Sequence, residues 1–145
     1  KWDRYYLKIA EAVAEGSKDP STKVGAVLVD AHNVIRGTGF NGFPPSIADD
    51  ERLQDRSQKY PLTVHAEANA LYFAGSQATK GGTLYVFGLP PCQSCALQII
   101  RHGVKRVVAE LNVDGNQETR NRWLAAANVT QGWYDEADVD FIFVC

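Results

Sequence analysis

The spacing of apolar positions divides the chain into segments of helical and strand-like character. Apolar residues recur at helical spacing over 3–15, which predicts a first helix. The apolar run 24–29, a turn at 31–33 and the segment 34–40 predict two strands that lie side by side. Further along the chain the pattern predicts helices over 64–74, 92–102 and 119–127, and strands over 83–87, 104–109 and 139–144.

The order of these elements predicts the fold class. Strands that alternate with helices at this spacing indicate right-handed crossovers onto a mixed sheet with helices on both faces. We therefore expect an α/β fold, a three-layer α/β/α sandwich with a mixed five-stranded sheet, in a single domain over residues 1–145. Gly103 is expected to cap the helix before it. The charged segment 41–61 is expected to be an irregular, functional loop.

Composition and charge exclude several classes of function. Hydrophobic residues make up 45% and charged residues 22%, as in globular proteins, and no apolar run approaches the roughly 20 residues of a membrane span. A net charge of -2 provides no broad basic field, so a nucleic-acid partner is not expected, although a small patch suffices for one phosphate. The odd cysteine count favours a reducing, cytoplasmic location and a metal or redox role.

Two short motifs carry candidate chemistry, His65-Ala66-Glu67 and the proline-preceded pair Cys92 and Cys95. Cysteines three apart lie nearly on one helix face, and the positive end of a helix favours the thiolates that zinc binds. His65 and Glu67 converge only where His65 leaves regular helical geometry. One imidazole and two thiolates leave a fourth zinc position for water, so Glu67 is predicted to be the catalytic acid and base.

Other interpretations of these motifs are open. The cysteine pair alone fits a thioredoxin-type redox site, and a structural zinc site needs a fourth ligand from His102, His32 or Cys145. A deaminase that acts on nucleic acid, such as a tRNA adenosine deaminase, has the same set of zinc ligands, so these motifs fit it as well. A non-catalytic, zinc-stabilised nucleotide-binding module is a further alternative, but such a module has no need of Glu67. The two motifs together are the signature of zinc nucleobase deaminases.

Longer stretches resemble the cytidine deaminase superfamily, and within it the deoxycytidylate (dCMP) deaminases. The resemblance is carried by residues 17–29, 39–44, 59–70 and 91–96, in the order and spacing of that family. It implies conversion of dCMP to dUMP with release of ammonia, the supply of a precursor for thymidylate. It also implies zinc on His65, Cys92 and Cys95, with Glu67 moving protons.

The resemblance extends to substrate contacts. Asn41 matches an asparagine that hydrogen-bonds the sugar in relatives, although it also suits a turn before Gly42. The backbone N–H of Ala66 is expected at a carbonyl group of the substrate. A 5′-phosphate requires cations, and Lys23, which stands just before the first strand, is the first choice. The other candidates for phosphate or effector contacts lie in the long loop and are Gly42, Arg52, Arg56 and Lys59.

Assembly and regulation are expected by the same resemblance. Some members are hexamers activated by dCTP and inhibited by dTTP, so we expect a homo-oligomer, a hexamer or a dimer. The turn 75–77 carries no arginine or lysine, which weighs against effector control. The first 64 residues contain no cysteine, so we expect one zinc ion per chain.

The sequence leaves open the role of three aromatic residues near the C-terminal end, which fit a core, a subunit contact or a pocket lid equally well: Trp123, Trp133 and Tyr134.

Overall fold

The computed structural model describes residues 1–113 and 115–144. In this part of the chain the strands are β1 Gly25–Val29, β2 Ile35–Phe40, β3 Thr83–Gly88, β4 Arg106–Leu111 and β5 Asp140–Val144. They form one sheet in the order β2-β1-β3-β4-β5. β1 pairs antiparallel with β2 and with β3, while β3, β4 and β5 are parallel to their neighbours. The predicted mixed five-stranded sheet is confirmed.

Six α-helices and one 3-10 turn surround the described part of the sheet. The helices are α1 Trp2–Ala14, α2 Arg56–Leu62, α3 Ala66–Ala74, α4 Ser76–Thr79, α5 Gln93–Arg101 and α6 Gln117–Glu136, and the 3-10 turn is Glu51–Gln54. α5 ends as predicted, because Gly103 has φ of 76° and its N–H donates to the carbonyl of Ile100.

Each face of the sheet carries its own apolar core, because successive strand side chains point to opposite sides. On one face α1 packs against the sheet through Tyr6, Leu7, Ala10, Ala14, Val27, Val29, Tyr85, Phe87 and Val108. On the other face α3, α5 and α6 contribute Ala66, Ala70, Leu71, Ala96, Ile99, Ala127 and Tyr134, packed against strand residues such as Leu28, Val86 and Val107. The three-layer α/β/α arrangement follows from these two clusters.

α3 lies unusually close to β2 because the strand is glycine-rich where the helix crosses it. A Cβ added to Gly39 would stand 2.5 Å from the nitrogen of Ala70 and 2.6 Å from the carbonyl oxygen of Ala66. A Cβ added to Gly37 would approach Ala70 and Ala74 in the same way. The backbones of helix and strand therefore touch directly, which fixes the height of the helix start above the sheet.

The segment 41–61 is more ordered than the sequence predicts. It contains the 3-10 turn and most of α2, and both begin at an aspartate that caps a backbone N–H: Asp50 accepts from Arg52 and Asp55 accepts from Ser57. Pro61 falls inside the last turn of α2, where it weakens the helical signal in the sequence. The expectation of an irregular loop was wrong for this part of the segment.

α6 is also longer than predicted, since it spans 20 residues where the pattern indicated only 119–127. Its start is capped by Asn116, whose side chain accepts from the N–H of Thr119. Its end is fixed by Tyr134, whose ring packs 4.8 Å from that of Phe141 in β5.

In the part of the chain that the structure describes, no helix has the length and apolar character to cross a membrane.

Candidate active site

The three candidate metal ligands come from the starts of two helices. His65 is the N-cap of α3 with extended backbone angles, φ −72° and ψ 153°. Cys92 is the N-cap of α5, and its sulfur accepts the N–H of Cys95 at 3.4 Å. The residue before His65 is held in place by a two-way backbone pairing between Val64 and Gly42. His65 therefore leaves regular helical geometry at the position where the sequence argument requires it.

The ligand atoms are close enough to share one ion. His65 Nδ1 lies 3.3 Å from the sulfur of Cys95 and 3.5 Å from the sulfur of Cys92, and all three ligand atoms lie within 4.8 Å of one another. A tetrahedral zinc ion with ordinary Zn–N and Zn–S bonds separates such atoms by about 3.5 Å. One imidazole and two thiols also match zinc in chemistry. The residues present therefore fit a zinc ion.

The electrostatics of the cluster favour a thiolate at its outer cysteine. The pKa of Cys92 is lowered to about 4, first by its hydrogen bond with Cys95 and then by that with His65. The hydrogen bond with Cys92 in turn raises the pKa of His65. The pKa of the Cys95 thiol is raised, chiefly by its hydrogen bond with Cys92 and by burial. The side chains of the cluster by themselves therefore favour a thiolate at Cys92, next to the imidazole of His65.

Neither of the two histidines considered as a fourth ligand reaches this cluster. His102 lies at the opposite end of α5, where its Nδ1 stands 2.8 Å from the carbonyl oxygen of Gln98. His32 occupies the exposed turn between β1 and β2. Cys145 lies outside the described residues. Among those residues, His65, Cys92 and Cys95 form the one group of three potential metal ligands, so the geometry favours a three-ligand site with an open position.

Glu67 lies beside the ligands at the inner end of a cavity of about 400 Å³. Its side chain is buried, and burial raises its pKa to about 7. Ala66 lines the same end of the cavity, and its backbone N–H belongs to the first turn of α3, where helix geometry offers it no acceptor. A buried carboxyl group and a free N–H therefore face the space next to the metal ligands.

One wall of the cavity is a network of buried polar side chains. Asn41 accepts the N–H of Val24 at 2.8 Å and donates to the carbonyl of Thr22 at 2.9 Å, so it joins the segments that flank β1 and β2. Lys59, on α2, donates to the carboxylate of Asp19 at 3.0 Å. Asp19 also accepts the N–H of Ser21. The lysine is buried and lines the cavity.

The outer end of the cavity carries Arg56 and Tyr60, one turn apart on α2. The guanidinium of Arg56 lies 5.0 Å from the centre of the Tyr60 ring and donates to its hydroxyl oxygen at 2.8 Å. This contact holds a cation at the mouth of the cavity. The cavity is therefore lined by the candidate metal ligands and Glu67 and, on α2, by an exposed cation.

The structure does not bring the other predicted contacts to this cavity. Lys23 is exposed and lines a neighbouring concavity with Glu11 and Glu15, while Val24 beside it faces the main cavity. Arg52 is paired with Asp50 at 2.8 Å. Gly42 does not line the cavity and serves instead to pair with the residue before His65. Adjacent residues on an extended chain point to opposite sides, which separates Lys23 from Val24.

The sequence analysis gave no cavity role to Asp19 and Tyr60, which it named only within the family-like segments 17–29 and 59–70. For Trp123 a pocket lid was one of three possible roles, and this residue stands four positions before the buried Ala127 and so shares its helix face. That spacing was the available signal.

Comparison with known proteins finds a family match that includes the candidate metal ligands and Glu67. The sequence profile described as cytidine and deoxycytidylate deaminase zinc-binding region matches residues 1–111. A deaminase of Aliivibrio fischeri, itself uncharacterised, is 36% identical over 140 residues, which are 97% of this chain and 91% of that protein. Human deoxycytidylate deaminase is 40% identical over 114 residues, 74% of this chain. The match covers 64% of the human protein, so the chain spans less than two thirds of that relative.

A solved structure resembles the whole chain. The dCMP deaminase of the cyanophage S-TIM5, in its apo form, aligns with a TM-score of 0.71 and 25% identity, and the alignment covers 99% of this chain and 97% of the phage chain. The likeness confirms the predicted fold. The match to the zinc-binding profile contains His65, Cys92, Cys95 and Glu67.

Proposed function

Because the chain belongs to the cytidine and deoxycytidylate deaminase family, we propose that it catalyses the hydrolytic deamination of dCMP to dUMP and ammonia. The observation that carries this proposal is the polarity of the cavity. A zinc-type ligand set and Glu67 line the cavity together with two cations of α2, the exposed Arg56 and the buried Lys59. A cavity of about 400 Å³ is within the usual range for small-molecule sites and suits one free nucleotide.

Zinc would be held by His65, Cys92 and Cys95, and when bound it supplies the Lewis acidity that makes water nucleophilic at neutral pH. Glu67 takes a proton from the attacking water as its oxygen bonds to C4 of the cytosine ring. The same carboxyl group then protonates N3, takes the second proton from the hydroxyl now bonded to C4 and gives it to the amine, so that the C4–N4 bond breaks, C4=O forms and ammonia departs. One water is consumed, and Glu67 ends in its starting protonation state.

The remaining contacts orient the nucleotide. The N–H of Ala66 is placed to donate to the carbonyl oxygen of the base, since it has no helical acceptor. The amide of Asn41 lies on the cavity wall and, after its two protein hydrogen bonds, retains one donor hydrogen for the sugar. Fixing the ring in this way converts the attack on C4 into an effectively unimolecular step.

We assign the 5′-phosphate to Arg56 and Lys59, because both line the cavity and both lie on α2, apart from the helix starts that carry the metal ligands. Lys23 becomes the second choice, since it borders a concavity that shares only Ser21 and Thr22 with the main one. A single phosphate needs no broad basic surface, which agrees with the net charge of -2.

We further propose that the chain self-associates and acts in the cytoplasm. Tyr72 and Phe73 on α3 are exposed by 78% and 65%, and Leu97 on α5 is exposed by 55%. Exposed apolar side chains on neighbouring helices support a subunit contact, either of a dimer or of a hexamer. Light scattering of the purified chain measures the size of the oligomer, and a monomer at micromolar concentration would contradict the proposed self-association.

The proposed location in the cytoplasm is supported by the zinc-binding cysteines, because thiols stay reduced in a reducing compartment.

The experiment that tests the activity is ammonia release from dCMP, deoxycytidine, CMP and a single-stranded oligonucleotide, each with and without dCTP or dTTP. We expect turnover of dCMP far above that of deoxycytidine and none of the oligonucleotide. Activity on the oligonucleotide alone would overturn the proposal in favour of a nucleic-acid deaminase. A zinc-loaded chain that binds dCMP without releasing ammonia would instead indicate a non-catalytic module.

A further inference from the structure

The first half of α6 contributes one large side chain, that of Trp123, to the lining of the main cavity. The inward residues of this helix are Trp123, Ala127, Thr130 and Tyr134, at steps of four, three and four, so they lie on one face. Ala127, Thr130 and Tyr134 are buried against the sheet. Trp123 continues the same face towards the N-terminal end of the helix, which lies beyond the last residue of the family match at 111.

Trp123 does not belong to either apolar core. Trp133, on the same helix, packs against the core cluster of α3, α5 and α6, whereas Trp123 is absent from both clusters. Its indole instead lines the main cavity, together with Leu89 and Pro90. A large apolar ring that faces open space rather than protein gains contact only when a ligand fills that space.

The position of this apolar wall indicates which part of a nucleotide it meets. Leu89 and Pro90 lead directly into the metal ligand Cys92, so the wall adjoins the inner end of the cavity. The base must lie at that end for its reacting carbon to reach Glu67. The phosphate belongs at the other end, beside Arg56.

We propose that Trp123 is a substrate-contact residue whose indole stacks on the pyrimidine ring of the bound nucleotide. This inference rests on the proposed function, because it takes the ligand to be a pyrimidine nucleotide. Stacking between an aromatic side chain and a base tolerates different bases but requires a planar ring. Trp123 therefore holds the base flat at the inner end of the cavity while the groups of α3 act on its edge.

Tryptophan fluorescence provides a test that does not depend on turnover. The product dUMP is titrated into the zinc-loaded protein and into the variants Trp123→Phe and Trp133→Phe. We expect dUMP to quench the fluorescence of the wild type and of Trp133→Phe, and the quenching to be lost in Trp123→Phe. Quenching that persists unchanged in Trp123→Phe would overturn the proposal.

Kinetics supply the second measurement. Removing one base-stacking partner in Trp123→Ala should raise the KM for dCMP by roughly 5- to 140-fold, with a smaller effect on kcat. Trp123→Phe should recover most of the loss. The exposed neighbour Leu124 offers a matched control, since Leu124→Ala changes the same helix without facing the cavity. A KM for Trp123→Ala within twofold of the wild type contradicts the assignment.

The two proposals fail in different ways. If the wild type neither binds dUMP nor releases ammonia from dCMP, the proposed function is wrong and the role of Trp123 falls with it. If the wild type turns over dCMP and the Trp123 variants match it in KM and in quenching, only the stacking role is wrong. Thermal unfolding of each variant separates loss of a contact from loss of folded protein.

Discussion

Replacing Lys59 by methionine bears on two roles of one side chain, the observed ion pair with Asp19 and the proposed contact with the 5′-phosphate. The side chains of Lys59 and Asp19 are exposed by only 7% and 11%, and their charged atoms are 3.0 Å apart. Lys59→Met keeps the apolar stem but leaves the Asp19 carboxylate buried without its partner. Breaking a buried ion pair in this way costs about 3–5 kcal/mol. We expect the lower end, about 3 kcal/mol, because Asp19 retains the N–H of Ser21 and borders the cavity.

A second substitution removes the stability effect without restoring the cation. In the double variant Asp19→Asn, Lys59→Met the buried charge is absent, and the amide oxygen of Asn can still accept the N–H of Ser21. Most of the lost unfolding free energy should therefore return, as urea unfolding of the wild type, both single variants and the double variant will measure. This double-mutant cycle isolates the ion pair from the packing of the stem.

The activity of the double variant then tests whether Lys59 contacts the 5′-phosphate. If Lys59 contacts the 5′-phosphate, the double variant should lose roughly 10- to 150-fold in kcat/KM for dCMP, the worth of one hydrogen bond to a charged group. Its kcat/KM for deoxycytidine, which has no phosphate, should stay within about threefold. A double variant that is stable and still prefers dCMP as strongly as the wild type would refute the assignment and leave Lys59 as a purely structural partner of Asp19.

Three further predictions concern the metal, the acid and base, and the attachment of α1. Glu67→Gln should lower kcat for ammonia release by about 10²- to 10⁴-fold while zinc content, measured by atomic absorption, stays at one per chain; unchanged kcat contradicts the proton-transfer role. Dialysis against dipicolinate should abolish ammonia release and lower the Tm by roughly 5–10 °C, both reversed by Zn²⁺ but not by Mg²⁺. The Arg106 guanidinium, which binds Asp3 in two hydrogen bonds, holds the pKa of that carboxyl below its ordinary value of 3.8. A carboxyl group with a lowered pKa stabilises the folded state above its unfolded-state pKa, and this contribution is lost as the pH falls. Between about pH 5 and pH 3, the unfolding free energy of Asp3→Asn should therefore fall less than that of the wild type. Parallel curves of unfolding free energy against pH would contradict this role of Asp3.

The sequence predicted the metal cluster because its geometry follows from local rules. Cysteines three apart and a histidine two residues before a glutamate can meet at one point only at helix starts, and His65 and Cys92 are the N-caps of their helices. Each half of the cluster is local, whereas the contacts of His65 with Cys92 and Cys95, 27 and 30 residues away, depend on the packing of α3 and α5. The strands were predictable for a similar reason, since the apolar run of β1 reflects burial on both faces.

α2 could not be predicted because its buried residue is a lysine. Periodicity identifies a helix by apolar side chains on one face, and in α2 the inward position is Lys59, stabilised by Asp19 forty residues away in sequence. Pro61 weakened the helical signal further. The tertiary ion pair brings this segment to the wall of the cavity, and the sequence analysis, which relied on the family's phosphate contacts before the first strand, ranked Lys23 above Lys59.

α6 was underestimated because its inward face is small and polar as well as aromatic. Thr130 and Ala127 give little hydrophobic contrast, and Gly132 inside the helix costs up to about 1 kcal/mol relative to alanine. The helix is held by tertiary contacts such as that of Tyr134 with Phe141. The predicted helix 119–127 already contains Trp123, but only the tertiary packing of α6 shows that its inward face meets the cavity.

The capping role of Cys92 bears on how the enzyme acquires its metal. Its sulfur is held by the N–H of Cys95, and the apolar cluster that includes residues of α3, α5 and α6 positions these helices on the sheet through side-chain packing. The ligands are thus arranged by the polypeptide, unlike those of zinc fingers, which fold only around their ion. Loading can follow folding, so the ion found in purified protein should reflect the metals supplied to the cell as well as the preference of two thiolates and an imidazole. Expression in zinc-poor, cobalt-supplemented medium thus offers a route to a spectroscopically visible form of the enzyme.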